Sequence, residues 1–202
     1  MSGPIHPIEA RSYRIMEAEL GDRLAVWPDR ERAVVARMVH ATADDSFATS
    51  ARIGPEAVSA AIDAMRAGAA VICDARMVAA GIPAVAAAMT VSCYLDSAVA
   101  TEGLTRSAAA VDAAAADHPE GALWVFGNAP TALARLLELS RQGVRPAAVI
   151  GLPVGYVGAA EAKDQLWASE LAPVAITNQG RRGGSAVAAA AVNALWRLAQ
   201  SG

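Results

Sequence analysis

Imidazole is the side chain best suited to moving a proton near neutral pH, and this chain has three histidines. His6 lies in a terminus, residues 1–7, expected to be mobile. His118 precedes Pro119 in a polar turn, where water is the natural partner. His40 differs. It follows the helical apolar positions Val34, Val35, Met38 and Val39 and precedes Thr42, Asp44 and Asp45. Two readings stay open for it: a proton donor and acceptor, or a histidine favoured by the negative end of a helix.

The second set of candidates binds anions. Three short apolar runs in the second half of the chain break into Gly-rich turns and then become helices: LWVFGNAPTALARLLEL, AVIGLPVGYVGAAEAKDQL and VAITNQGRRGGSAVAAAAV. Such turns leave unpaired N–H groups and partial positive charge at a helix start. Three of them at the carboxyl ends of neighbouring parallel strands would converge on one anion-binding crevice. Gly127, Asn128, Gly155, Gly183, Gly184 and Ser185 are the candidates there. Arg106 opens a helix, and Arg181 and Arg182 precede another. A cation is unfavourable at that end of the dipole, so these arginines and Lys163 read either as solvated charges or as partners of a carboxylate.

Other chemistries lack their residues. There is no histidine–cysteine cluster and no HExxH for a metal, and no GxSxG for a nucleophilic serine. GLPVGYVGAAEAK lacks the GK[ST] ending of a phosphate loop, and its glycine spacing is wrong for a dinucleotide. An enzyme without cofactor, metal or covalent nucleophile is expected.

The elements that must position these residues alternate. Strand-like runs fall at 70–73, 90–95, 123–126, 147–150 and 174–177, with helices at 106–116, 131–141, 159–168 and 185–198. The chain opens on helices. Pro7 starts one that stops near Gly21, Asp29 caps a second that ends near His40, 43–50 reads as a loop, and Pro55 opens a third through Arg66. Alternation with continuous apolar strands predicts a single α/β domain over 1–202, a doubly wound, mainly parallel sheet of five to six strands flanked by helices.

Composition narrows the partners. The net charge of −3 offers no basic field for nucleic acid, and 4% aromatic residues offer no stacking platform. Gly81 and Pro83 break the apolar region 78–95, so no membrane span is expected. The polar N-terminus does not read as a signal peptide, and Cys73 and Cys93 read as thiols of a reducing compartment, with a disulfide between them the alternative, so the expected location is cytoplasmic.

Seven motifs in order resemble the precorrin-8X methylmutase family of cobalamin biosynthesis, including its cobalt-precorrin-8 branch. They are RSYRIMEAE at 11–19, RMVHAT at 37–42, CDARMVAAG at 73–81, TRSAAA at 105–110, GNAPTAL at 127–133, GLPVGYVGAAEAKD at 151–164 and GRRGGSAVAAAAVNAL at 180–195. The resemblance implies an isomerase that moves a methyl group from carbon 11 to carbon 12 of a contracted tetrapyrrole, giving hydrogenobyrinic acid or its cobalt counterpart, cobyrinic acid. It implies that His40 is the proton donor and acceptor, and that Ser12, Arg106 and Arg181 contact the substrate. It also implies a homodimer with active sites near the subunit interface. A substrate rimmed with carboxylates suits Gly-rich turns and arginines, and a flat ring suits apolar walls.

Two departures from the family pattern stand out. Arg76 replaces an acidic residue of some relatives and reads as a further carboxylate contact or as a surface change. Thr42-Ala43 replaces Cys-Gly. A tetrapyrrole carrier without the chemistry is the rival reading. It would bind the coloured product without altering a substrate's absorption spectrum. An unrelated sugar-phosphate enzyme is a third, and it would bind inorganic phosphate strongly.

Overall fold

Short runs of Val, Ile, Leu and Phe form the strands because parallel strands are buried on both faces and need no polar alternation. A computed structural model describes residues 6–100 and 102–201. In chain order the elements are α1 (Pro7–Leu24), α2 (Asp29–Thr42), α3 (Phe47–Ser50), β1 (Ala51–Ile53), α4 (Ala57–Arg66), β2 (Val71–Cys73), α5 (Arg76–Ala80), α6 (Pro83–Ala86) and β3 (Val91–Ser92). They continue with α7 (Arg106–Asp117), β4 (Leu123–Phe126), α8 (Pro130–Arg141), β5 (Ala148–Gly151), α9 (Ala159–Trp167), β6 (Ala175–Asn178) and α10 (Ser185–Gln200).

One six-stranded sheet has the order β1-β6-β5-β4-β2-β3. Every pairing is parallel except that of β1 with β6. This is the expected α/β sheet with helices on both faces. One core joins α1, α2, α4 and α10 to the side chains of Val125, Ile150 and Ile176. The other joins α7, α8 and α9 to Trp124, Phe126 and Val149. Consecutive strand residues thus feed opposite cores, as the pleat requires. The turns after β4, β5 and β6 leave one edge of the sheet, because those three strands are adjacent and parallel.

Local expectations fail where a signal was weak. Ala51-Arg52-Ile53 lacks an apolar run, yet it pairs antiparallel with β6 as an edge strand. The run at 90–95 gives only a two-residue strand and then a 3-10 turn, Tyr94–Asp96. Helix α1 continues through Gly21, since tertiary packing of Leu20 and Leu24 outweighs one glycine's propensity. Helix α2 is capped by Pro28, with Asp29 its first residue, and the expected loop 43–50 contains α3. The expected mobile segment 1–7 falls mostly outside the described residues. His6, which is described, caps α1 by accepting the Ile8 N–H at 3.3 Å.

Helix α2 ends on Ala43 with φ 50°, the one non-glycine residue at positive φ among those described. A left-handed alanine costs about 1–2 kcal/mol. Ala43→Gly is expected to stabilise the fold by roughly 0.5–1 kcal/mol after the added freedom of the unfolded chain. A thermal melt should move up by about 2 °C. A fall in the midpoint would contradict the strain.

Candidate active site

His40 stands in the last turn of α2, half-buried. Its Nδ1 lies 3.0 Å from Ser12 Oγ on α1, and its ring stacks on Tyr13 at 4.7 Å with planes 11° apart. Ser12 and Tyr13 are adjacent on one helix, so α1 fixes both an edge and a face of the imidazole. Glu9, about one turn earlier, ties α1 to α2 through Arg37 at 3.0 Å and to α10 through Arg197 at 3.2 Å. Burial raises the Glu9 pKa, but the hydrogen bond and charge of Arg197 and the charge of Arg37 outweigh it, so the carboxyl stays below its usual value.

The other ring nitrogen, Nε2, has no hydrogen-bond partner among the described residues. His40 lines a cavity of about 440 Å³ with Ile8, Arg11, Ser12, Ile15 and Asp45. A serine hydroxyl can donate to a bare Nδ1 or accept from a protonated one. The pair therefore supports either role for Nε2, giving a proton or taking one.

The Gly-rich turns are contiguous. A Cβ on Gly127 would lie 2.8 Å from Ser185 Cα, and one on Gly183 would lie 2.4 Å from the carbonyl oxygens of Leu152 and Pro153. The first turn thus abuts the start of α10, and the third crosses the second. Gly155 N–H donates to the Arg181 carbonyl, and Gly184 N–H to that of Leu152.

The three turns differ in what they leave open. At the first, the buried Asp74 carboxylate accepts the N–H groups of Gly127, Asn128 and Ala129 at 2.9, 2.8 and 2.7 Å. The expectation that Gly127 and Asn128 offer free backbone donors is therefore corrected: a side chain from the end of β2 already fills that helix start. Burial pushes the Asp74 carboxyl up, against the pull of the three donors. Helices α9 and α10 start on Gly158 and Gly184 with no side-chain cap, so their first turns keep donors available.

Lys163 is also corrected. It is fully buried, and its Nζ donates to Asn178 Oδ1 at 3.0 Å and to the Arg182 carbonyl. It holds the third turn from beneath instead of meeting a ligand. Burial lowers its pKa from 10.5 to about 8, only partly offset by Asp164. Between those values the unfolded chain keeps a proton that the folded chain has released, so Lys163 makes stability rise with pH through that window. Relative to Lys163→Met, the wild-type melting midpoint should climb from pH 8 to 10. Parallel curves would contradict this.

The arginines sort into two groups. Arg106 is the first residue of α7 and exposed. Its Nε donates to the Leu95 carbonyl at 2.8 Å, and Asp96 lies 3.9 Å away. Arg76 grips the same Asp96 with two donors. The anion inferred at the start of α7 is thus, in part, the chain's own. Arg181 lies over the Tyr156 ring at 5.0 Å and makes no side-chain hydrogen bond among the described residues. Arg182 pairs with Asp44, just beyond α2. Burial raises the Asp44 pKa, but hydrogen bonds from Ser46 and Arg182 outweigh it and hold the carboxyl below its usual value. That ion pair brings the third turn to the His40 end of α2, on one edge of the molecule.

Cys73 is buried and Cys93 half-buried, both free. The β2–β3 register sets them side by side. Burial, with the neighbouring Asp74 charge, pushes the Cys73 thiol up to about 12. No helix among the described residues is long and apolar enough to cross a membrane.

Comparison with known proteins adds an independent line. A family model described as precorrin-8X methylmutase matches residues 7–198. The precorrin-8X methylmutase of Pseudomonas aeruginosa is 44% identical, covering 93% of each chain. The cobalt-precorrin-8 methylmutase of Priestia megaterium is 37% identical over 96% of this chain and 88% of that one. A crystal structure of a precorrin-8X methyl mutase from Thermus thermophilus superimposes with a TM-score of 0.85 at 39% identity, covering 95% of each chain.

Proposed function

Because the chain belongs to the precorrin-8X methylmutase family, an isomerase family of corrin biosynthesis, we propose that His40 is the residue that exchanges a proton with the ring as its methyl group migrates. A methyl shift leaves the atom count and redox level of the ring unchanged. What remains for the protein is to hold one tautomer of the macrocycle and to lend it a proton at the right atom. The pairing of Ser12 Oγ with Nδ1, which leaves Nε2 unpartnered beside the cavity, is the observation that carries this reading.

The surroundings suit a flat polyacid. Large apolar side chains stay exposed along this edge of the sheet: Ile8 and Ile15 at the His40 cavity, and Val154, Tyr156 and Val157 in the turn after β5. Arg181 and the uncapped starts of α9 and α10, with the N–H groups of Gly183 and Ser185, offer donors for rim carboxylates, whereas those of Gly155 and Gly184 are spent on the carbonyls of Arg181 and Leu152 and shape the turns instead. Asn128, exposed at the first turn, offers its side-chain amide.

Ser12 acts through His40. Ser12→Ala is expected to lower kcat about tenfold, the loss of one hydrogen bond of roughly 1.4 kcal/mol in the transition state, with KM nearly unchanged. Unchanged kcat would show that the serine does not set the imidazole.

We further propose that the protein works as a homodimer in the cytoplasm. Arg106 bonds to the Leu95 carbonyl after β3 and lies near Asp96, while Thr105 beside it touches Thr131 at the start of α8. If the active sites lie near the subunit interface, as the resemblance implies, one chain's Arg106 can serve the site of the other. Mixing inactive His40→Ala chains with weakly binding Arg106→Ala chains tests this: shared sites would give turnover at the wild-type KM, and a mixture showing only the Arg106→Ala KM would contradict it.

Adding precorrin-8X or cobalt-precorrin-8 to the protein should change the absorption spectrum to that of the corrin product. A carrier would bind and leave the spectrum as it was.

A further inference from the structure

The tip of the turn between β5 and α9 holds an aromatic ring in open solvent. Tyr156 is 87% exposed and Val157 88%, with Val154 beside them at 43%. The backbone beneath is not loose. Gly155 N–H is bonded to the Arg181 carbonyl, Gly184 N–H to that of Leu152, and Gly183 packs against Leu152 and Pro153. The fold therefore holds three apolar side chains outward on a fixed base.

Arg181 covers one face of the tyrosine ring at 5.0 Å. Its guanidinium has no hydrogen-bond or ion-pair partner among the described residues, so its donors remain available to a ligand. An apolar plate with an unpaired cation against it is complementary to a flat apolar body with carboxylates on its rim. The next residue, Arg182, pairs with Asp44, which places the plate on the His40 side of the molecule.

We infer that Tyr156 forms a wall of the ring-binding site, its free face lying on the macrocycle while Arg181 pairs with a rim carboxylate. This rests on the methylmutase reading above and adds to it a specificity residue. Tyr156 contributes area to the bound ring and no proton, so its effect falls on binding and not on the chemical step.

The test is an absorbance titration with hydrogenobyrinic acid and with cobyrinic acid, alongside molar mass in solution. Tyr156 is almost wholly exposed, so its substitution does not threaten folding. Tyr156→Ser is expected to raise Kd about tenfold or more, with kcat at saturating substrate within about twofold of wild type. Tyr156→Phe should restore binding, because the ring and not the hydroxyl makes the contact. Equal affinities for wild type and Tyr156→Ser would overturn the wall and leave the methylmutase reading standing. So would a drop in molar mass caused by Tyr156→Ser, which would mean that a second copy covers the tip. A wild-type chain that binds neither product would overturn the ring-site reading itself, and the wall with it.

Discussion

His40→Ala is expected to fold normally, bind the corrin product and lose turnover by roughly 10²–10⁴-fold, the range of a missing general acid–base group. The imidazole is half-buried and makes one side-chain hydrogen bond, to Ser12. Its removal therefore costs about 1 kcal/mol of stability. Binding should survive, because Arg181, the uncapped helix starts and the exposed apolar side chains are untouched. Single-turnover absorption spectra with precorrin-8X and with cobalt-precorrin-8, a thermal melt and a product titration separate the three effects. A variant that turns over at the wild-type rate would remove His40 from the chemistry. One that neither folds nor binds would make it structural.

Asp74→Ala is expected to produce the largest loss of stability among surface-distant polar substitutions, about 3–5 kcal/mol. The carboxylate accepts three consecutive N–H groups at the start of α8, and those of Gly127 and Ala129 are buried. Alanine would leave them without a partner in a place water does not reach, at the positive end of a helix. At this chain length the melting midpoint should fall by roughly 10 °C. Asp74→Asn keeps a carbonyl oxygen but loses the charge and one strong acceptor, so its loss should be intermediate. Denaturant or thermal unfolding measures both. A loss under about 1 kcal/mol for the alanine variant would mean that solvent or a neighbour replaces the carboxylate, and that the first turn is open after all.

Those two residues mark what a sequence can and cannot carry. The alternation of β and α elements was legible from β2 onward, because doubly buried strands are continuous apolar runs and the Gly-rich turns punctuate them. β1 was not, since Ala51-Arg52-Ile53 is set by pairing with β6 and not by its own pattern. Asp74 directly follows the strand-like run 70–73, but its partners lie more than fifty positions away, on a turn whose own pattern reads as open to a ligand. Lys163 read as a solvated charge or an anion contact and is neither, because burial of a long side chain beneath a loop leaves no local mark. The same limit applies to His40. Its position after an apolar helix face was plain, whereas Ser12 and Tyr13, which fix its edge and its face, come from another helix. Tyr156 does carry a local mark, an aromatic between Gly155 and Val157 inside a Gly-rich turn.

A crystal structure of this protein with its corrin product would test the proton-transfer site most directly. The ring should lie along the edge shared by α2 and the turns after β5 and β6, with a macrocycle atom about 2.6–3.2 Å from His40 Nε2 or one water away. A ring bound only beside Arg76 and Arg106, with the imidazole facing solvent, would contradict it.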